Sequence, residues 1–205
     1  MNRRTFIAHS CAGLGALTIP VPVFGGRIEP VRGEIFINGE RLGQNRNVRP
    51  GDRIRTGDRA SATLVIGRDA FLTRPDSEVE FQGAGRSSVL TGLRLLTGGL
   101  LAVFGSGRKT LTTSTATIGI RGTGIYMEAS DSQTYLCTCY GEVEVADAHG
   151  AEKHLVLSGY HAPTMIYAEM TDGAMMAKAE FKNHTDEELK QLEARVGRRP
   201  KFSGR

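Results

Sequence analysis

Apolar and polar positions alternate most clearly between Thr115 and Glu128, where Ile118, Ile120, Ile125 and Met127 mark one face of a strand. Arg121-Gly122-Thr123-Gly124 interrupts the run, and glycine there supplies backbone angles that other residues reach only at a cost. The pattern predicts two strand segments joined at a glycine bend. Tyr135–Cys139 and Glu142–Val145 are predicted to close the same sheet. Upstream, Ile35 and Ile37 precede Asn38-Gly39, a strong hairpin signal, and Val48 to Asp52 reads as a turn built on Pro50-Gly51. Ile54, then Ala62, Leu64 and Ile66, then Phe71 and Thr73, then Val79 and Phe81 continue the alternation. Residues 82–88 read as an exposed loop. Leu93–Leu96 and Leu100–Phe104, flanking Thr97-Gly98-Gly99, are expected to form a second hairpin. Strand signals recurring about every 8–12 residues argue against alternating strand–helix units. The expected fold is all-β, a sandwich or roll of many short antiparallel strands with a short C-terminal amphipathic helix.

That helix is announced by Thr185-Asp186-Glu187-Glu188, a capping box, with Leu189, Leu192 and Val196 at helical spacing before Gly197. It occupies 184–197. Residues 148–183 are expected to form an irregular extension with one further strand at Leu155–Leu157, and 198–205 a basic, solvated tail. At the other end, Arg3-Arg4-Thr5-Phe6-Ile7 resembles the twin-arginine export signature, and a mildly apolar run to Phe24 follows it. Residues 1–25 are therefore expected to be an export signal, cleaved or kept as an anchor, which places the rest in the periplasm or otherwise outside the cytoplasm.

Composition fits an ordinary globular protein, with 40% hydrophobic and 23% charged residues among 205. Setting aside Arg3 and Arg4 reduces the net charge of +4 to +2, which is no footprint for nucleic acid. Membrane contact is expected only through an uncleaved signal or the basic tail.

Chemistry is sparse. The chain has no Gly-x-Ser-x-Gly elbow, no His-Glu-x-x-His and no dinucleotide glycine fingerprint, so it is expected not to be an enzyme and to carry no cofactor. Asp52, Asp69 and Asp76 each stand at a predicted turn, where backbone hydrogen bonding explains them. Gly105 to Lys109 lacks phosphate-loop spacing and reads as a surface turn between strands. Met165, Met170, Met175 and Met176 are too unevenly spaced to promise convergent thioethers and read as packing filler. A carbohydrate module would need aromatic platforms. The chain has no Trp, and Tyr126, Tyr135, Tyr140 and Tyr160 are the substitutes available.

Cys137-Thr138-Cys139 is the candidate chemical site. Residues i and i+2 of a regular strand share a face at roughly 6.5–7 Å between Cα atoms, the upper edge of disulfide geometry. A bridge therefore needs a bulge, which Gly141 could mark. Three readings compete: buried thiols acting as small hydrophobes, a strained disulfide, or a soft-metal site completed by His149 or His161.

Three motifs in order carry a family resemblance across about residues 31–147: Gly51-Asp52-Arg53-Ile54-Arg55-Thr56-Gly57, Ile120-Arg121-Gly122-Thr123-Gly124-Ile125 and Gly141-Glu142-Val143. They are similar to the exported β domain of the FecR family. Gly51, Asp52, Thr56, Gly57, Gly122, Thr123 and Gly141 are its structural motif positions. The resemblance implies a non-catalytic domain that receives a signal from another envelope protein or a small ligand. FecR proteins add a cytoplasmic anti-sigma segment and a membrane helix. Only about 25 residues precede the domain here, so a stand-alone module is expected.

Overall fold

The computed structural model describes residues 26–43, 46–83 and 89–202. The expected export signal and the final three residues of the tail lie outside them, as do residues 84–88 of the expected loop.

The described residues form β1 (Gly26–Arg32), β2 (Ile35–Ile37), β3 (Glu40–Arg41), β4 (Asn47–Val48), β5 (Arg53–Thr56), β6 (Ser61–Ile66), β7 (Asp69–Thr73), β8 (Glu78–Gly83) and β9 (Leu90–Val103). There follow β10 (Arg108–Thr112), β11 (Ala116–Ala129), β12 (Gln133–Asp147), β13 (Lys153–Ser158), β14 (Ala162–Thr171), β15 (Ala174–Lys178) and α1 (Asp186–Ala194). All strands join one sheet, mostly antiparallel, with β9 and β10 running parallel. Its main path is β15-β14-β12-β11-β10-β9-β7-β6-β1-β4, with β13 beside β12, and β8 leading from β9 to β5 and β2.

The long strands β9, β11 and β12 organise the sheet, because each pairs with different strands along its length. The first half of β9 pairs with β8 and its second half with β7 and β11. Along β11 the register against β12 shifts between Arg121 and Gly124 and again between Gly124 and Ile125. This is the glycine bend expected from the sequence, within one continuous strand rather than between two. Gly122 sits there at φ 63, in the left-handed region. Replacing it with valine should cost on the order of 1–3 kcal/mol through strain. Gly119→Val, at a position with only ordinary contacts around a new Cβ, is the control. Equal melting temperatures for the two variants would remove the bend from the account.

The motif positions hold this frame. Thr56 is buried, donates to the carbonyls of Arg74 and Ser77 at 2.7 and 3.2 Å, and accepts from the Ser77 amide at 3.0 Å. Gly57 N–H donates to Glu34 O at 3.0 Å, and Gly51 N–H to Phe81 O. Asp52 accepts from Asn38 Nδ2 and Arg49 N–H, closing its turn. Thr123 donates to Glu142 O at 2.9 Å, and a Cβ on Gly141 would press on Thr123 at 3.1 Å.

Four expectations change. Thr97-Gly98-Gly99 is not a hairpin turn: Leu93–Leu96 and Leu100–Phe104 belong to the single strand β9, because each half finds a different partner strand. Residues 148–183 hold three strands rather than one. β14 is half-buried along most of its length, so its side chains show no alternation to read. Gln82 and Gly83, assigned to a loop, are the end of β8. The tail through Phe202 is packed: Arg198 Nη1 donates to Arg68 O at 2.6 Å, and the Phe202 ring meets Tyr140 at 5.7 Å. The Asn38-Gly39 hairpin forms as expected, with positive φ at both residues.

Two separate apolar clusters result. The interior one gathers Ile37, Leu64, Phe71, Leu95, Ile118, Ile125 and their neighbours from nearly every strand. The second lies on the outer face, where Ala70, Leu101, Val103, Tyr126, Cys137 and Cys139 meet Leu189 and Leu192 of α1. Residues 179–202 thus form a strap laid across the sheet. The capping box predicted from Thr185 and Glu188 starts its helix, and both Glu188 oxygens accept from Arg74, at 2.6 and 2.9 Å.

Candidate functional site

The site lies where the strap crosses the bend of β12. Ile125 faces Thr138 and Gly124 faces Tyr140 across the β11–β12 ladder, so Cys139 is the extra residue of a bulge. Bulges re-aim side chains, and this one turns the Cys139 thiol towards the strap beside Cys137. Both thiols are fully buried.

Two histidines meet them. His161 comes from the turn between β13 and β14, where its φ of 41 is uncommon for a residue with a Cβ. Its amide donates to Cys139 O at 3.0 Å, tying the turn to the bulge. His161 Nδ1 lies 3.6 Å from Cys137 Sγ. His184 immediately precedes the N-cap of α1, and its Nε2 lies 3.3 Å from Cys139 Sγ. The facing atoms of all four residues lie within 4.8 Å of one another.

The outer nitrogen of each ring is also held. His184 Nδ1 donates to Lys182 O at 2.8 Å, which leaves Nε2 with a lone pair directed at the thiols. His161 Nε2 donates to Asp186 Oδ1 at 2.8 Å, which does the same for Nδ1. Aromatic rings close the surroundings. Tyr126 stacks on His184 at 4.7 Å, and Phe181 lies 4.5 Å from both imidazoles. Among the thiols, a hydrogen bond from Cys139 pulls Cys137 down to about 5 against the effect of burial. Burial pushes Cys139 up, and the Cys137 charge adds to it.

This arrangement alters the sequence-based site. No disulfide joins Cys137 and Cys139, which are free thiols facing different histidines. His149 belongs to the turn after β12, where its amide donates to Asp147, and stands outside the group. His161 is in it. His184 was missed, because it is 45 residues from Cys139 and arrives only through the β14–β15 hairpin, which the sequence did not reveal. Its one local signal is its place just ahead of a capping box.

A neighbouring cleft of about 720 Å³ is bordered by Arg74, Thr97, Tyr126, Gln133, Tyr135 and Asn183. Its cations are engaged, Arg74 with Glu188 and Lys182 with Glu128. Tyr126, Tyr135 and Tyr140 are each at most 2% exposed, so they present no stacking platform for a sugar. Met175 and Met176 pack in the interior cluster while Met170 is exposed, so the methionines do not converge.

Fold and site together define a β-sheet module with an enclosed two-cysteine, two-histidine donor set. No family model and no curated protein matches the chain. Two crystal structures of a Parabacteroides distasonis ATCC 8503 protein, described as a "putative anti-sigma factor", share the fold at TM-score 0.51 and 12% identity. The alignment covers 62% of this chain and 58% of that protein.

Proposed function

We propose that the chain is an exported, non-catalytic sensory module of a cell-envelope signalling system, of the FecR type its motifs resemble, and that it senses through the Cys137/Cys139/His161/His184 cluster. The observation that carries the reading is the convergence of four donor groups at the joint between sheet and strap. A ligand bound there touches both parts and biases how they dock. The fold shared with the anti-sigma factor supports a signalling context, as do the three motifs. Its partner is another envelope protein or a small ligand. No described helix is long and apolar enough to cross a membrane.

Two measurements test this. Changing Arg3 and Arg4 together to lysine should hold the protein in the cytoplasm on fractionation. Protein still found beyond the inner membrane would defeat the twin-arginine route. Replacing the native copy with Cys139→Ser should alter transcription of envelope genes in its own host, and an unchanged profile would defeat the sensory role.

A further inference from the structure

We infer that the cluster is a closed tetrahedral site for one divalent thiophilic cation of the zinc class, held by Cys137 Sγ, Cys139 Sγ, His161 Nδ1 and His184 Nε2. The inference takes its biological role from the sensory reading above. The existence of the site rests on geometry alone.

Distances come first. Bonds of about 2.3 Å to sulfur and about 2.0–2.1 Å to nitrogen put tetrahedral sulfur and nitrogen ligands about 3.6 Å apart. The two close sulfur–nitrogen separations here are 3.6 and 3.3 Å. These two pairs match one cation to within a few tenths of an ångström, and the other separations, all within 4.8 Å, would have to close by at most about 1.5 Å.

The second shell agrees. Metal-binding histidines give their remaining N–H to a carboxylate or a carbonyl, which fixes the ring and raises its basicity. Asp186 does this for His161, and Lys182 O for His184.

Charge then selects the ion. The thiols are fully buried and His184 is 3% exposed, so a net charge left in the complex would be expensive. Binding proceeds as M²⁺ + 2 RSH + 2 imidazole → M(SR)₂(imidazole)₂ + 2 H⁺. Both thiol protons leave to solvent, and the complex is neutral. Cu(I) would leave it at −1 and a trivalent ion at +1. Two sulfurs and two nitrogens in a tetrahedron also suit zinc among the divalent metals. A thiol–disulfide switch is the competing use of the pair. That use would leave the two histidine nitrogens, 3.6 and 3.3 Å from the sulfurs, without a role.

The test uses the full chain, reduced and stripped of metal, titrated with Zn²⁺ and separately with Co²⁺. One equivalent of zinc should bind, and cobalt should give the intense ligand-field and thiolate charge-transfer bands of a tetrahedral thiolate site. In competition with a chromophoric chelator, Cys139→Ser and His184→Gln should each weaken zinc at least a hundredfold. Asp186→Asn should weaken it about 10–100-fold, and His149→Ala should have no effect. Circular dichroism and melting of each apo-variant separate lost ligands from lost folding, with His161→Asn as a further ligand variant should Cys139→Ser not fold. Weak octahedral cobalt bands, full affinity in His184→Gln, or preferential retention of Cu(I) would each overturn the assignment. Host transcription that responds to Cys139→Ser without any zinc binding would leave the sensory reading standing and remove the metal. Stoichiometric zinc with silent transcription would do the reverse.

Discussion

Lys109→Met should destabilise the fold by about 3–5 kcal/mol, because it strands a buried carboxylate. Lys109 and Asp69 are 8% and 6% exposed at the side chain, and Nζ lies 3.3 Å from Oδ1. Burial pushes the Asp69 carboxyl above its ordinary value even in the intact pair, against the pull of the Gly105 amide and of Lys109. Removing the cation removes part of that pull, so the folded value rises further. An acid raised in the folded state binds more protons there than when unfolded. Its stability contribution is therefore full below the ordinary value near 3.8 and is lost as pH rises through the folded value. The variant should accordingly lie closest to wild type in mild acid and furthest from it at neutral pH. Asp69→Asn combined with Lys109→Met keeps an acceptor for the Gly105 amide and should recover most of the loss. Denaturant melts across pH read all three results. A single variant with unchanged stability at neutral pH would show that water reaches the pair.

Arg198→Leu should weaken docking of the strap by about 3–5 kcal/mol, by a comparable logic but with a local outcome. Arg198 Nε pairs with Glu193 Oε2 at 2.6 Å, and the Glu193 side chain is 3% exposed. Without the guanidinium, that carboxylate keeps the Tyr140 hydroxyl as its side-chain hydrogen-bond donor among the described residues. The interior cluster contains no residue of the strap. Opening of the strap therefore need not carry the sheet with it. Amides of α1 should exchange about a hundredfold faster or more, while those of β9 and β11 keep their protection. Equal acceleration in both places would show that strap and sheet unfold as one unit.

Sequence pattern revealed those parts of the molecule whose signals are local. The bend at Gly122, the Asn38-Gly39 turn and the Thr185 cap each depend on a few adjacent residues, and each was legible. The two halves of β9 were misread because only long-range pairing distinguishes a hairpin from a strand that changes partners. The site shows the same divide. Cys137 and Cys139 declare themselves by being two apart, and His161 could be proposed as a partner. His184 depends on a hairpin of half-buried strands whose pattern does not alternate, so no spacing rule reaches it. A bulge beside the cysteines was anticipated as the condition for a bridge and lies at Cys139, two residues before the glycine taken to mark it.

The complete burial of Cys137 and Cys139 makes the order of events in the cell matter. Neither thiol is shielded until the strap, which follows the strands in the chain, has settled on the sheet. A chain that meets an oxidising compartment before that moment offers two accessible thiols to any oxidant or mispairing partner. One that has already folded shields both. Passage through a translocation route that accepts folded cargo would let the centre be assembled in a reducing compartment, and loaded there, before its surroundings change.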